Sequence, residues 1–274
     1  MYNLKFQGMR RMSGEDIILY ELKSKVANIV LNRPAAAHSF NLDLMKKLYA
    51  ALVEADKDER VKCILLKSSG NRMFSAGIDI KSKSLEDNKE YFEEMKVYGR
   101  NITQKMLIMK KPIIVQVQGT AIGFGMELIM ASDLRIFADR PKGEMFFRMP
   151  EIAISIYPQT GATILPLLAF GLSYAKNILF TADEFGLDDL KKFNFPTRIF
   201  PLNKLEIETK KFMRTFSKRM DSFTFLIKSS LNIMNTKYIE RWYDLEDECG
   251  KIAYNKKTMK ELDEFIKNLY IKYP

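Results

Sequence analysis

Short apolar segments of strand length alternate with helical patterns along the first 200 residues of the chain. Helices are predicted at 41–58, with Asn41 as the N-cap, and at about 86–109, ended by Pro112. Alternation of this kind indicates an α/β fold. The predicted strands are DIILYEL (16–22) and VANIVLN (26–32), paired as a hairpin across KSK, then VKCILLKSS (61–69), PIIVQVQG (112–119) and DLRIFAD (133–139).

The pattern changes from Leu202 onward. Between 203 and 273 the only glycine is Gly250, proline is absent, and apolar residues recur every three to four positions. This predicts an all-helical segment, which we expect to act as a lid or as an association surface. The predicted organisation is therefore a mobile lead-in at 1–14, a core domain at 15–201 and a helical domain at 202–274.

The formal net charge of +10 favours anionic partners, such as nucleic acid or a small polyphosphorylated ligand. The 44 lysine and arginine residues are scattered, however, with no block of five or six. A solvated helical surface explains most of this charge, so no nucleic-acid partner is expected. No apolar stretch approaches the roughly 18 residues that span a bilayer, so no membrane association is expected either.

The cysteines and the histidine exclude several kinds of site. Cys63 lies in an apolar run and is interpreted as a core residue; with only Cys249 besides it, the chain lacks a disulfide framework, which favours the cytoplasm. A single histidine excludes zinc sites built on several histidines, and no metal or cofactor is predicted. His38, in RPAAAHSF, is interpreted as a polar loop residue with a minor role in substrate contact.

Two glycine-containing loops follow buried strands: FSAGIDIKS (74–82) and GTAIGFGMEL (119–128). Gly77 and Gly123 allow tight turns that would point the next amides, those of Ile78 and Phe124, into one cleft. Two such N–H groups, one of them at a helix start, favour a developing negative charge. Nucleotide-binding loops are excluded because the glycine order and the following residues differ from both common phosphate-loop patterns.

Two acids accompany these loops. Glu127 lies one helical turn from the predicted oxyanion site, where a carboxylate suits proton transfer beside a polarised carbonyl. Glu151, in FFRMPEIAISIYP, is flanked by apolar residues that would raise its pKa. Taken singly, each acid could equally be a carboxylate in the first turn of a helix.

The chain resembles the crotonase (enoyl-CoA hydratase/isomerase) superfamily in five stretches that follow the family's order. They are NRPAAAHSFN, FSAGIDIK, VQGTAIGFGMELIMASDLRIFA, MPEIAISIYPQTGAT and TADEFGLDDLKKFNFPTRIFP. The resemblance implies a spiral of ββα units with a helical C-terminal domain, assembled as trimers or paired trimers. The pattern differs at Phe124, where many hydratases have glycine, and at Gln159–Thr160, which replace a common glycine-rich turn.

The resemblance also implies a site. Backbone amides of Ile78 and Phe124 would hold the thioester oxygen of an acyl-CoA substrate, and Glu127 and Glu151 would act on a water between them. Arg72 and Lys81 match basic positions near the nucleotide end of coenzyme A. The remaining predicted substrate contacts are the loop residues Ala76, Gly77, Asp79, Ile80, Gly123 and Gly125.

The acid pair favours an enoyl-CoA hydratase, or the reverse dehydratase. An enoyl-CoA isomerase, a thioester hydrolase and a decarboxylase would reuse the same oxyanion site and remain alternatives, with a basic nucleic-acid-binding or scaffold protein as the non-enzyme alternative. A serine protease of related topology lacks a plausible triad order around the single His38.

Overall fold

The computed structural model describes residues 16–80, 88–253 and 258–272, apart from the side chains of 233–236. These residues form a six-stranded sheet and a three-stranded sheet. In order across the large sheet, the strands are β1 (Ile18–Lys23), β2 (Val26–Leu31), β3 (Cys63–Ser68), β5 (Ile113–Val117), β7 (Leu134–Asp139) and β9 (Arg198–Pro201). The small sheet consists of β4 (Met73–Ser75), β6 (Thr120–Ile122) and β8 (Phe147–Arg148).

Helices follow the strands in a repeating order. They are α1 (Leu42–Lys57), α2 (Lys89–Ile108), α3 (Phe124–Ala131), α4 (Ile164–Thr181), α5 (Leu187–Lys191), α6 (Leu202–Arg219), α7 (Ser222–Ala253) and α8 (Met259–Lys272). Three successive units each place one strand in the large sheet, the next in the small sheet, and then a helix: β3-β4-α2, β5-β6-α3 and β7-β8-α4. The predicted spiral of ββα units with a helical C-terminal part is confirmed.

Local sequence accounts for many of these elements. The hairpin β1–β2 is antiparallel, as predicted, and pairs Lys23 with Val26 next to the turn. Asn41 caps α1, because its side-chain oxygen accepts a hydrogen bond from the Leu44 amide at 2.9 Å. The other strand pairs of the large sheet are parallel, which fits their nearly continuous apolar sequences.

Two local predictions need correction. The stretch around NRPAAAHSF, predicted as a loop, contains a 3-10 helix at Pro34–Ala36, where the proline ring fixes a helical φ. The first glycine loop contains the short strand β4, which is too brief to show an alternating pattern. Helix α3 begins at Phe124, as the second glycine loop predicts, with Gly123 as its N-cap residue.

A large hydrophobic core lies between the two sheets and helices α1 to α4, and a smaller one lies under α6. Leu205 and Met213 of α6 cover the outer face of the large sheet, where they meet Cys63 and Leu65. Burying one such side chain contributes about 1.5–3 kcal/mol. Cys63 is a core residue, as predicted, and its burial raises the pKa of the thiol to about 12.

The tail is helical where it is described, and α7 packs back onto the core. Lys228 of α7 is 7% exposed; its ammonium donates to the carbonyl oxygens of Met106 and Lys111 and lies 2.7 Å from the Asp133 carboxylate. Arg100 of α2 forms ion pairs with two further acids of α7. The lid or association role of the tail stays a prediction.

Helix α4 is long and apolar enough to cross a membrane when length and composition alone are considered. The helix is interrupted at Gly171, whose φ of 75° and ψ of 166° are not helical. Leu165, Phe170 and Ile178 of this helix pack in the large hydrophobic core.

Candidate active site

The small parallel sheet determines where the candidate site lies. Its strands pair in parallel, with Ala121 opposite both Ser75 and Phe147. The carboxyl ends of parallel strands meet at one edge of a sheet, where ligands commonly bind. Ile78 follows β4, Phe124 follows β6 and Glu151 follows β8, so the chain brings these three residues to the same edge.

The two glycine loops are in direct contact. Gly77 has φ of +81°, and a methyl group in place of its hydrogen would lie 2.6 Å from the Ile122 carbonyl oxygen. The same methyl group would lie 3.4 Å from the Phe124 amide nitrogen. Only glycine combines this φ with so close an approach of the two backbones.

The amides of Ile78 and Phe124 are left available. Hydrogen bonds on either side fix the first loop, because the Phe40 amide donates to the Gly77 carbonyl at 2.7 Å and the Asp79 amide to the Phe40 carbonyl at 2.9 Å. Within the described part of the chain, neither the Ile78 nor the Phe124 N–H donates to a protein acceptor. Phe124 is also the first residue of α3, where the helix dipole favours negative charge.

Glu127 is held inside the protein at the first turn of α3. Its side chain is 2% exposed, and its amide donates to the Gly123 carbonyl at 3.0 Å. The Thr160 hydroxyl lies 2.7 Å from Glu127 Oε2 and donates to it when the carboxyl is ionised. Burial, followed by the neighbouring charge of Glu151, raises the pKa of Glu127 well above its usual range.

Glu151 approaches the same glycine from the other side. It begins a 3-10 helix at Glu151–Ile154, and its Oε1 would lie 3.0 Å from a methyl group at Gly123. Its Oε2 is buried and has no hydrogen-bond partner among the described residues. Burial raises the pKa of this carboxyl to about 7. The Glu151 carboxyl therefore lies against Gly123, next to the Phe124 amide in sequence, and its charge acts on the buried Glu127 carboxyl.

This arrangement agrees with comparisons with known proteins. The sequence model of the enoyl-CoA hydratase/isomerase family matches residues 21–268. The chain belongs to the enoyl-CoA hydratase/isomerase family. It is 30% identical to a crotonyl-CoA hydratase of Syntrophomonas wolfei subsp. wolfei, over 91% of this chain and 94% of that protein.

Other family members also resemble the chain in sequence or in structure. A short-chain-enoyl-CoA hydratase of Clostridium acetobutylicum is 28% identical over 69% of this chain and 70% of its own length. The crystal structure of an enoyl-CoA hydratase from Mycobacterium avium subsp. paratuberculosis K-10 superposes with a TM-score of 0.78 at 18% identity, covering 91% of this chain and 97% of that one. The structural match establishes the fold, and the family sequence model establishes the membership.

His38 lies beneath the first loop of this family fold. It is 2% exposed; its Nδ1 accepts from the Arg33 amide at 3.1 Å, and its Nε2 lies 2.9 Å from the Ser69 carbonyl oxygen. Burial lowers the pKa of the ring, so the neutral form with a proton on Nε2 fits both contacts. Both ring nitrogens are engaged within the protein, and a polar contact with substrate would have to break one of these bonds.

The other predicted contacts occupy different surroundings. Arg72 is exposed beside the first loop, and Ile80 is 37% exposed at its end. Asp79 forms an ion pair with Arg33 at 3.3 Å. Ala76 donates its amide to the Ala37 carbonyl, and Gly125 packs inside α3 against Ser75. Lys81 lies outside the described residues.

Sequence reasoning missed the residues that hold the turn beside Glu127. Glu246 of α7 is 2% exposed and accepts hydrogen bonds from the Gly161 and Thr163 amides, each at 2.8 Å. Tyr243, one turn earlier, donates to the Thr103 hydroxyl at 2.7 Å. In the sequence, Glu246 is one acid among several in a helical tail, so no local signal distinguishes it. Within the described residues, no group of three or more histidine, cysteine or acidic side chains is arranged to hold a metal ion.

Proposed function

We propose that this chain is an enoyl-CoA hydratase. It adds water across the 2,3 double bond of a trans-2-enoyl-CoA, or removes water from a 3-hydroxyacyl-CoA. The observation that carries the proposal is made at the edge of the small sheet. There the free amides of Ile78 and Phe124 lie in two glycine loops that touch, the Glu151 carboxyl lies against Gly123, and the charge of Glu151 acts on the buried Glu127. The names of the crotonyl-CoA and short-chain hydratase relatives support the same reaction and favour a short acyl chain.

The amides of Ile78 and Phe124 are assigned to the thioester oxygen. As water attacks C3, negative charge moves through the conjugated system to this oxygen, and fixed N–H donors stabilise it. In hydrolases, losing one such donor costs about 2.7–4 kcal/mol of transition-state stabilisation. The contact between Gly77 and the Phe124 backbone keeps both donors in place before substrate binds.

Glu127 and Glu151 are assigned to proton transfer. Two neighbouring buried carboxyls titrate as a pair, and the state with one proton is the useful one. A water between them loses a proton to the ionised carboxyl and adds its oxygen to C3, while the protonated carboxyl delivers a proton to C2. The raised pKa values of both groups support this assignment near neutral pH.

The outer part of the site is assigned to coenzyme A, which is bound as part of the substrate; no separate cofactor is proposed. Arg72, exposed beside the first loop, and Lys81 would meet its phosphates, while Ala76, Asp79 and Ile80 line the approach. His38 supports this loop through its carbonyl oxygen, which accepts a hydrogen bond from the Ser75 hydroxyl at 2.8 Å. We further propose a cytoplasmic location, a core domain at 15–201, and a helical domain at 202–274 that covers the site and joins subunits into trimers or hexamers.

The direct test follows the loss of the enoyl-thioester absorbance when the purified protein is mixed with crotonyl-CoA. We expect turnover by the wild type and by Glu59→Gln, an exposed glutamate far from the site in sequence. Glu151→Gln should be slower by about 10²–10⁴-fold. Absence of turnover with short, long and branched enoyl-CoAs would overturn the hydratase proposal.

An enoyl-CoA isomerase is the second candidate. The Oε2 of Glu151, buried and without a partner among the described residues, could carry a proton between C2 and C4 by itself. An isomerase should tolerate Glu127→Gln and convert a 3-enoyl-CoA to the 2-enoyl isomer, whereas a hydratase should lose most of its activity.

A further inference from the structure

Thr160 has an unusual backbone for a branched residue. Its φ is +67°, it is 5% exposed, and it lies in the turn that connects the Glu151 segment to α4. A β-branched side chain is strongly disfavoured in this left-handed region, so the surrounding contacts must hold it there. The side chain that is held in this way points its hydroxyl at Glu127.

We propose that Thr160 is a positioning residue whose hydroxyl keeps Glu127 in place in both of its protonation states, and that α7 holds this hydroxyl through Tyr243. The inference rests on the proposed function for its effect on turnover. Two sets of contacts support it. The first joins the Thr160 hydroxyl to the Glu127 carboxyl and the Gln159 carbonyl, and the second holds the Thr160 backbone through Thr103 and Tyr243.

The Thr160 hydroxyl has two acceptors within reach. Its Oγ1 lies 2.7 Å from Glu127 Oε2 and 2.5 Å from the carbonyl oxygen of Gln159. A hydroxyl carries one hydrogen and can also accept. When Glu127 is ionised, the hydroxyl donates to Oε2; when Glu127 is protonated on Oε2, its O–H donates to Oγ1 and the hydroxyl turns to Gln159. No proton leaves Thr160, yet the carboxyl keeps a partner throughout.

An amide N–H could only donate to this carboxyl, and a carbonyl could only accept from it. Either group would favour one charge state of Glu127 and leave an unpaired polar atom in the other. A hydroxyl keeps a bond to the carboxyl in both states, because its hydrogen rotates between acceptors, although its bond to the ionised carboxylate is the stronger one. This property suits a carboxyl that gains and loses a proton in each turnover.

The backbone of Thr160 is held from two helices. The Thr103 hydroxyl of α2 lies 2.6 Å from the Thr160 carbonyl oxygen, and Tyr243 of α7 donates to that same Thr103 hydroxyl at 2.7 Å. The next amide, that of Gly161, donates to Glu246 of α7 at 2.8 Å. The Thr160 methyl group packs on Gly99 of α2, where an added methyl group would lie only 2.6 Å away.

The decisive variant is Thr160→Val, which keeps the branched shape and removes the hydroxyl. We expect kcat for crotonyl-CoA to fall roughly ten- to a hundredfold with KM nearly unchanged, and Thr160→Ser to restore most of it. The matched control is Thr209→Val in α6, because the Thr209 hydroxyl is buried without a partner among the described residues. That control should retain wild-type kcat.

A second measurement does not depend on turnover. In protein labelled with ¹³C at the glutamate carboxyls, with the Glu127 signal assigned through Glu127→Gln, Thr160→Val should raise the pKa of Glu127, because the hydroxyl bond favours the ionised form. Thr160→Ser and Thr209→Val should leave it unchanged. Tyr243→Phe should move kcat and the titration in the same direction as Thr160→Val, by less.

The outcomes separate the two proposals. Wild-type kcat and an unchanged Glu127 titration in Thr160→Val would overturn the role of Thr160, whatever the reaction is. If the wild type does not hydrate enoyl-CoAs, the proposed function fails while the titration still decides on Thr160. If Thr160→Val does not fold, Thr160→Ala removes the same hydroxyl without a branched side chain and carries the same expectations.

Discussion

Glu127 and Glu246 are equally buried, each 2% exposed, but their carboxyl groups have different numbers of hydrogen-bond partners. Glu246, on α7, accepts from the amides of Gly161, Thr163 and Ile164 and from the Thr163 hydroxyl. The Glu127 carboxyl, on α3, has one hydrogen-bond partner among the described residues, the Thr160 hydroxyl. The Glu246 carboxylate thus accepts several hydrogen bonds at the start of α4, whereas the Glu127 carboxyl has few partners.

Burial by itself therefore does not identify a reactive acid. Burial raises the pKa of both carboxyls, but at Glu246 four hydrogen bonds act in the opposite direction. A carboxylate with several donors is held in place together with the backbone around it, whereas a carboxyl with few partners can gain and lose a proton with little rearrangement. We therefore interpret Glu246 as structural and Glu127 as reactive.

The largest expected effect separates these two roles by activity. Glu127→Gln should lower kcat for crotonyl-CoA by about 10²–10⁴-fold with little change in the free energy of unfolding. Glu246→Gln, which removes the charge but keeps an acceptor, should lower kcat far less. Similar losses of kcat in both variants would erase the distinction between the two carboxyls.

The next effect separates them by stability. Glu246→Ala leaves the Gly161 and Thr163 amides and the Thr163 hydroxyl without their acceptor, so we expect the free energy of unfolding to fall by about 3 kcal/mol in urea titrations. Glu240→Ala, an exposed position on the same helix, should stay within about 0.5 kcal/mol of the wild type. A Glu246→Ala variant as stable as this control would mean that α7 does not hold the turn.

The smallest expected effect is a dependence of the protein's stability on pH that comes from the Glu151 carboxyl. Burial raises the pKa of Glu151 from 4.5 to about 7, so the folded protein binds this proton more tightly than the unfolded chain does. The resulting stabilisation is complete below about pH 4.5 and is lost as the pH rises through about 7. Glu151→Gln should therefore be more stable than the wild type at pH 8 and equal to it at pH 4. Parallel pH–stability curves would show that Glu151 is not desolvated.

Local patterns predicted much of the fold and the two glycine turns of the candidate site. The Asn41 cap, the antiparallel hairpin and the two glycine loops depend on residues close together in sequence, where turn and cap preferences act directly. The meeting of Ile78 and Phe124 followed from two strands that each end in a glycine turn. Family resemblance added the pairing of Glu127 with Glu151.

The contacts of Glu246 and Thr160 could not be predicted in the same way. The contact between Glu246 and Gly161 joins residues 85 positions apart, and a helical tail rich in acids gives no sign of which one turns inward. In the sequence, Thr160 differs from the family's glycine-rich turn, but its φ and its partner Thr103 depend on how α2 and α7 pack. Tertiary contacts, not local preferences, select these residues.

The two-residue strand β8 has a consequence for how this family can change. Its register against β6, with Phe147 opposite Ala121 and Arg148 opposite Ile122, fixes the position of the chain three residues before Glu151. The exposed turn that precedes it, 141–144, can therefore be lengthened or shortened by evolution or by protein engineers while the buried Met145 and the acid keep their positions. Insertions there offer a place to alter the rim of the molecule, for example to attach a label, while the chemistry downstream is left untouched.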